Sequence, residues 1–296
     1  MLKRDWKREW IRWVAAGVLL VGCVARAATE GAPATGTVEE WLRRARDAQS
    51  RGLMKQASEF AGRAIEVGPA DPRGYQVRAH LAERMRQYIQ AELDFGRVIE
   101  LLPDDPASYF QRGLVRLRLL NFAGSAADFD RCVVLRPARE PELWQRGIAL
   151  FYAGRFAEGR RQFESHRTVN PNDVENSAWH FACISRVDGP GVARAQWMPV
   201  RGDERVPMAE IQELMSGSGS VEAVLEAVEA VTDGAGRSRA QLYGHLYLSM
   251  YYGAHGRREE EARHAVQAAK AGNGLGLMGD IAQVHSDWVA ARLSGR

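Results

Sequence analysis

Four arginines recur every 34 residues: Arg44, Arg78, Arg112 and Arg146. A ladder of guanidinium groups can act in two ways. Turned to solvent, it forms a stripe that grips phosphates or carboxylates of a partner; turned inward, it pairs with carboxylates of its own chain. Asp94 and Asp128 stand at one shared place in the second and third units, so internal pairs are at hand there. Phe60 and Gln162 hold that place in the first and fourth units and offer no carboxylate. The seven histidines form no HExxH and no i,i+4 pair with a third ligand in view, which argues against a metal site. No GxSxG elbow, P-loop or dinucleotide fingerprint is present. Gly272, Gly274, Gly276 and Gly279 lack the preceding strand and the lysine of a phosphate loop and read as a turn between helices. Cys132 and Cys183 have no short spacing and read as small buried apolar residues. These residues predict no catalytic group, no cofactor and no metal.

The same 34-residue period runs through the positions that must place such groups. Pro69, Pro103, Pro137 and Pro171 close successive units. Counting each unit so that its proline is position 32, position 8 holds Ala45, Ala79, Gly113 and Gly147, and position 20 holds Ala57, Ala91, Ser125 and Gly159. Small residues at both places let two helices cross closely. Position 24 holds Ala61, Phe95, Phe129 and Phe163, and position 4 holds Trp41, Tyr75, Tyr109 and Leu143; these fill the space between neighbouring units. The prolines lack the amide proton that another helical turn would need. Over residues 38–171 this pattern closely resembles the tetratricopeptide family, which implies an all-α solenoid of helix–turn–helix repeats.

At the N-terminus, Lys3, Arg4, Lys7, Arg8 and Arg12 precede the apolar run 13–22, which is too short to span a bilayer as a permanent helix. The run ends in Leu20–Val21–Gly22–Cys23, which looks like a bacterial lipobox, with Cys23 as the thiol that takes the lipid. Ala25–Arg26–Ala27 offers a competing site for ordinary secretory cleavage before Ala28. The first reading places the chain in the cell envelope as a membrane-anchored lipoprotein facing the periplasm, and the second makes it a secreted or periplasmic soluble protein; an uncleaved anchor or a misread start is the third alternative. Residues 23–37 are rich in Ala, Gly, Thr and Pro and read as a flexible tether. The net charge of +3 resides in residues 1–22, and the remainder is balanced, which argues against nucleic acid as a partner.

The expected organisation is a signal peptide over 1–22, a tether over 23–37, four repeats over 38–173, an irregular helical segment over 174–237, and a degenerate repeat with a capping helix over 238–296. Within the irregular segment, short helices are expected near 207–216 and 219–232, and Asp233–Gly234–Ala235–Gly236 reads as a loop. In the late repeat, Glu261 occupies the tight position 20. The whole arrangement is similar to NlpI-type lipoproteins, most of all in RGIALFYAGRFAEGRRQFESHRTVNPND (146–173) and LYLSMYYGAHG (246–256). That resemblance implies a dimeric envelope adaptor that presents substrates to a processing protease and binds cell-wall hydrolases.

In such a stack the first helix of each repeat lines the concave face. There repeats 1 and 2 place mostly polar residues, among them Arg46, Arg73, His80, Glu83 and Arg84. Repeats 3 and 4 place Phe110, Leu114, Leu117, Trp144, Ile148, Phe151 and Tyr152. An apolar stripe this wide needs a cover. Three covers are open to it: a client protein in a binding groove, a second subunit in a homodimer, or the chain's own C-terminal helices. The expected function is a protein–protein interaction scaffold of the envelope rather than an enzyme. An assembly factor for a secretion or pilus machine and an enzyme with a site in 186–236 are the alternatives.

Overall fold

A computed structural model describes residues 35–295. The signal segment and Cys23 lie outside the described residues. Fifteen α-helices and one 3-10 segment succeed one another here, with no strand among the described residues. They are α1 Val38–Ser50, α2 Met54–Val67, α3 Pro72–Arg84, α4 Tyr88–Leu101, α5 Pro106–Arg118, α6 Phe122–Leu135, the 3-10 turn Pro137–Glu142, α7 Trp144–Tyr152, α8 Phe156–His166, α9 Val174–Val187, α10 Pro190–Ala195, α11 Met208–Ser216, α12 Val221–Ala230, α13 Gly234–Ala254, α14 Arg258–Gly272 and α15 Gly276–Leu293.

Each repeat begins and turns for local reasons. Thr37 and Glu40 form a reciprocal capping box at the start of α1. Asp71 and Asp105 cap α3 and α5 through their carboxylates, with Pro72 and Pro106 at the first helical position, where a missing amide proton costs nothing. The turn between the two helices of a repeat is also periodic. Gly52, Arg86, Leu120, Gly154 and Gly256 all have positive φ, between 58° and 76°. Each is followed by an amide that reaches back to close the preceding helix, as in Leu53 N to Ala48 O at 2.9 Å and Asn121 N to Arg116 O at 2.9 Å. Arg86 and Leu120 therefore hold a left-handed conformation that is easy only for glycine.

The tight crossings lie where the small residues predict them. Ala45, Ala57, Ala79 and Ala91 are fully buried. A Cβ added to Gly147 would meet Phe163 Cζ at 2.5 Å, and one on Gly113 would meet Phe129 Cζ at 3.1 Å. Ser125 Oγ donates to Gly113 O at 2.8 Å, linking positions 20 and 8 directly. In the late hairpin the roles reverse: Ser249 Oγ donates to Glu261 O at 2.8 Å. The bulkier Glu261 is accommodated because Gly253 faces it, and a Cβ there would lie 2.3 Å from Glu261 Oε1.

Two elements differ from expectation. Pro137 and Pro141 turn the start of the fourth repeat into a 3-10 segment, so α7 is only nine residues long. The expected loop at 233–236 is helical instead: Asp233 caps α13, and Gly234–Gly236 form its first turn. Gly272–Gly276 does form the turn between α14 and α15, and Gly272 and Gly279 let those helices cross in near backbone contact.

Packing is uneven along the chain. Repeats 1 and 2 hold small clusters dominated by alanine. From Leu114 onward one continuous core joins repeats 3 and 4, the irregular segment and the last hairpin. Cys132 and Cys183 are buried free thiols within this scaffold, and burial pushes Cys132 up to about 12.

Candidate functional site

The face lined by α1, α3, α5 and α7 divides into an open half and a closed half. In the open half Glu39, Arg46, Arg73, His80 and Arg84 are exposed, and Arg73 bridges to Glu39 of the preceding repeat at 2.7 Å. Leu42 of α1 is buried.

The closed half is sealed by α15. Leu114, Leu117, Ile148, Phe151 and Tyr152 are buried, while Phe110 and Trp144 are half-buried. Trp288 of α15 packs against Phe151 and Tyr152, with ring centroids 5.6 and 5.3 Å apart. Tyr152 also stacks on Phe122, and Phe110 sits edge-on to Phe129. At the border of the two halves, Asp280 of α15 accepts from Arg118 Nε at 2.9 Å and from Arg86 Nη2 at 2.5 Å. Among the described residues, the chain's own last helix lies over Phe151 and Tyr152. In this arrangement the five buried side chains are taken up by packing within the chain itself.

Beneath that cover lies a hydrogen-bonded chain. Tyr152 Oη and His285 Nδ1 are 3.0 Å apart, His285 Nε2 and Ser249 Oγ are 3.0 Å apart, and Ser249 Oγ donates its only proton to Glu261 O. The hydroxyl must then accept from His285 Nε2–H, and the bare Nδ1 must accept from Tyr152. In a nucleophile–base pair the serine proton would point at the imidazole; here it points away, and Ser249 is fully buried. These residues tie α7, α13, α14 and α15 together and offer no activated nucleophile.

Three of the four rungs of the arginine ladder, Arg78, Arg112 and Arg146, are folded inward, while Arg44 is exposed. Arg78 grips Asp94 at 2.8 and 2.7 Å, and Arg112 grips Asp128 at 3.0 and 2.7 Å, both with paired nitrogens. Arg146 is not left without a partner, as the sequence suggests, because Gln162 Oε1 and Asp130 Oδ1 each accept from it at 2.8 Å. Asp130, from the preceding repeat, makes up for the missing carboxylate. Arg44 lies over the Trp41 ring at 4.6 Å.

The polar cluster that sequence reading passes over sits at the start of α9. Arg205, from the irregular segment, contacts Asp173 and Asp203 at 2.7 Å each and also touches Glu175. One guanidinium thus serves three carboxylates. Tyr247 Oη donates to Glu175 Oε2 at 2.7 Å. Burial, opposed by Arg205, pushes the Glu175 carboxyl up to about 7. The residues come from α9, α13 and a loop with no regular pattern, so no spacing in the sequence announces them. No group of His, Cys, Asp and Glu among the described residues has metal-site geometry.

No family model matches the chain, and no curated protein matches it. Solved structures do. A tetratricopeptide repeat protein from Parabacteroides merdae aligns over 86% of this chain and 98% of its own, with 13% identity and a TM-score of 0.50. PilF of Pseudomonas aeruginosa covers 83% of this chain and 96% of its own at 12% identity and a TM-score of 0.44. YrrB, described as a tetratricopeptide protein with an unusual peptide-binding site, covers 64% and 90% at 15% identity and a TM-score of 0.48. The fold is that of a tetratricopeptide-repeat solenoid.

Proposed function

We propose that this chain is a non-enzymatic protein-binding scaffold of the bacterial envelope, held at a membrane by lipid on Cys23, with its open half as the binding face. The observation that carries the reading is the contrast along one solenoid face. Repeats 3 and 4 bury their apolar side chains under α15 and share one core, whereas repeats 1 and 2 keep a charged face in solvent. That face carries both signs, with Arg46, Arg73 and Arg84 beside Glu39, and suits an extended segment bearing charged side chains. Recruitment of a protease or of cell-wall hydrolases, as the NlpI-type resemblance implies, is the finer form of this reading. Service to a secretion or pilus machine is its rival.

Two measurements on the full chain in a bacterial envelope test the proposal. Labelled palmitate should enter the wild type and not Cys23→Ala; equal labelling, or none in either, removes the lipid anchor. Chemical cross-linking from native membranes should recover envelope proteins with the wild type and fewer with Arg46→Glu, Arg84→Glu. Identical recovery with the double variant overturns the assignment of the face, and the recovered proteins decide between hydrolases and a secretion machine.

A further inference from the structure

The closed half retains a cavity of about 200 Å³ where α7, α8, α9 and α15 meet. Trp144, Phe163 and Trp179 contribute aromatic surface to it, and Glu175, Asn176 and His166 contribute polar atoms. A dry apolar cavity of ~150 Å³ holds a benzene molecule, so this one has room for a ligand of comparable size.

The hydrogen-bond accounting at the lining gives the ligand's chemistry. Asn176 is buried, and its Nδ2 donates to Phe163 O at 3.0 Å, yet its Oδ1 accepts from nothing among the described residues. His166 Nδ1 lies 2.7 Å from Pro141 O; a carbonyl can only accept, so Nδ1 carries a proton and its hydrogen bond is already used. Glu175, whose carboxyl burial raises to about 7, belongs to the cluster in which Asp173 and Asp203 also share Arg205, so carboxylates outnumber the one guanidinium beside the cavity. The lining therefore combines an unfilled amide acceptor, carboxylates that outnumber their one cation, and aromatic rings, the three features that together favour a cation bearing N–H donors. Trp179 Nε1, buried and without an acceptor, is the one donor left over, and it suits an oxygen placed near the cation. A buried amide oxygen and a buried indole N–H, both unpaired and both on residues that line one cavity, are costly unless something pairs with them.

We propose that this cavity is a binding site for a protonated primary amine on a short alkyl chain. The amine can be a free alkylammonium or the lysine side chain of a protein segment. Its nitrogen sits between Asn176 Oδ1 and Glu175, and its alkyl stem lies against the tryptophans. Only the lysine source rests on the scaffold reading above; the free amine does not.

The test is a titration of the full chain, labelled with nitrogen-15, followed at the Trp179 indole N–H, which Trp179→Phe assigns. The probes are n-butylammonium chloride, the tripeptide acetyl-Gly-Lys-Gly-amide, n-butanol as the neutral match in length, and potassium chloride as the salt control. A saturable shift with n-butylammonium or the lysine peptide, absent with n-butanol and the salt, is expected; which of the two saturates identifies the source. Affinity should fall by about tenfold or more in Glu175→Gln and in Asn176→Leu, each of which removes one acceptor or charge. No saturable shift with either amine overturns the proposal, as does an equal response to n-butanol or unchanged affinity in both folded variants. Comparing ammonium with alcohol on the wild type decides the matter even if a variant does not fold. Failure here leaves the open face of repeats 1 and 2 untouched, whereas failure of the membrane cross-linking removes only the lysine source.

Discussion

Tyr152 and His285 meet at 3.0 Å, one from the floor of the closed half and the other from the helix that covers it. Tyr152 holds the hydroxyl proton and His285 the ring proton, so each group in the chain from Tyr152 to Glu261 O has one role. Tyr152→Phe keeps the ring packing and leaves His285 Nδ1 buried and unpaired. Chemical unfolding should show a loss of about 1–3 kcal/mol. An unchanged stability would mean that the hydroxyl does not tie α7 to α15.

Acid acts on the same contact. Burial, with Arg186 and Arg292 near, pushes His285 down to about 3, and burial beside His245 pushes His264 down to about 4. Both bind protons more readily in the unfolded chain, where histidine titrates near ~6.5. The stability that they contribute is full above that pH and is lost progressively as pH falls toward those values. Glu175 works in the opposite sense: raised to about 7, it contributes below the ordinary carboxylate range and loses that contribution as pH rises through 7. The comparison that isolates His285 is wild type against His285→Asn, by urea unfolding from about pH 7.5 to about pH 5. The advantage of the wild type should shrink on acidification; a constant gap would contradict burial of a neutral imidazole.

The helix crossing at Gly147 has no spare space. Leucine there must displace Phe163, whose Cζ would lie 2.5 Å from even a methyl carbon, so Gly147→Leu should lower stability by about 1–3 kcal/mol or more. Arg43 is exposed on α1, and Arg43→Leu should change stability by under about 0.5 kcal/mol. Coincident thermal melts for the two would mean that position 8 is not the crossing point.

Much of this was legible in the residues themselves. Proline, alanine and glycine in one register locate the hairpins because each acts locally, through a missing amide or a missing side chain. The inward fate of the arginine ladder was legible for Arg78 and Arg112, whose carboxylates stand in the same repeat. It was not legible for Arg146, because Asp130 comes from the repeat before. The cover of Phe151 and Tyr152 by α15 joins residues more than 130 positions apart, and no period links them. The apolar stripe showed that a cover was needed without saying which. The cluster around Arg205 depends on a loop laid over the start of α9 and carries no spacing signal.

Position 15 of the repeats invites a reciprocal test. Gly154 has φ +76° with open space around a would-be Cβ, whereas Leu120 holds φ 59° in the equivalent turn. Gly154→Ala should cost about 1 kcal/mol from backbone strain alone. Leu120→Gly should stabilise by up to about 1 kcal/mol as that strain is relieved, less the entropy glycine gains when unfolded. Melts that move together in the same direction would refute a shared left-handed turn.

On the function proposed above, one end of the solenoid face is open to partners and the other is closed by the chain's own last helix. A photo-crosslinking amino acid placed at His80 reports on the open half, and one at Gln283 reports on the outer surface of α15; both sites are exposed. Irradiation in intact cells, followed by identification of the adducts, should yield protein partners at His80 and few or none at Gln283. Adducts at Gln283 with none at His80 would contradict the claim and place the working surface on the cap.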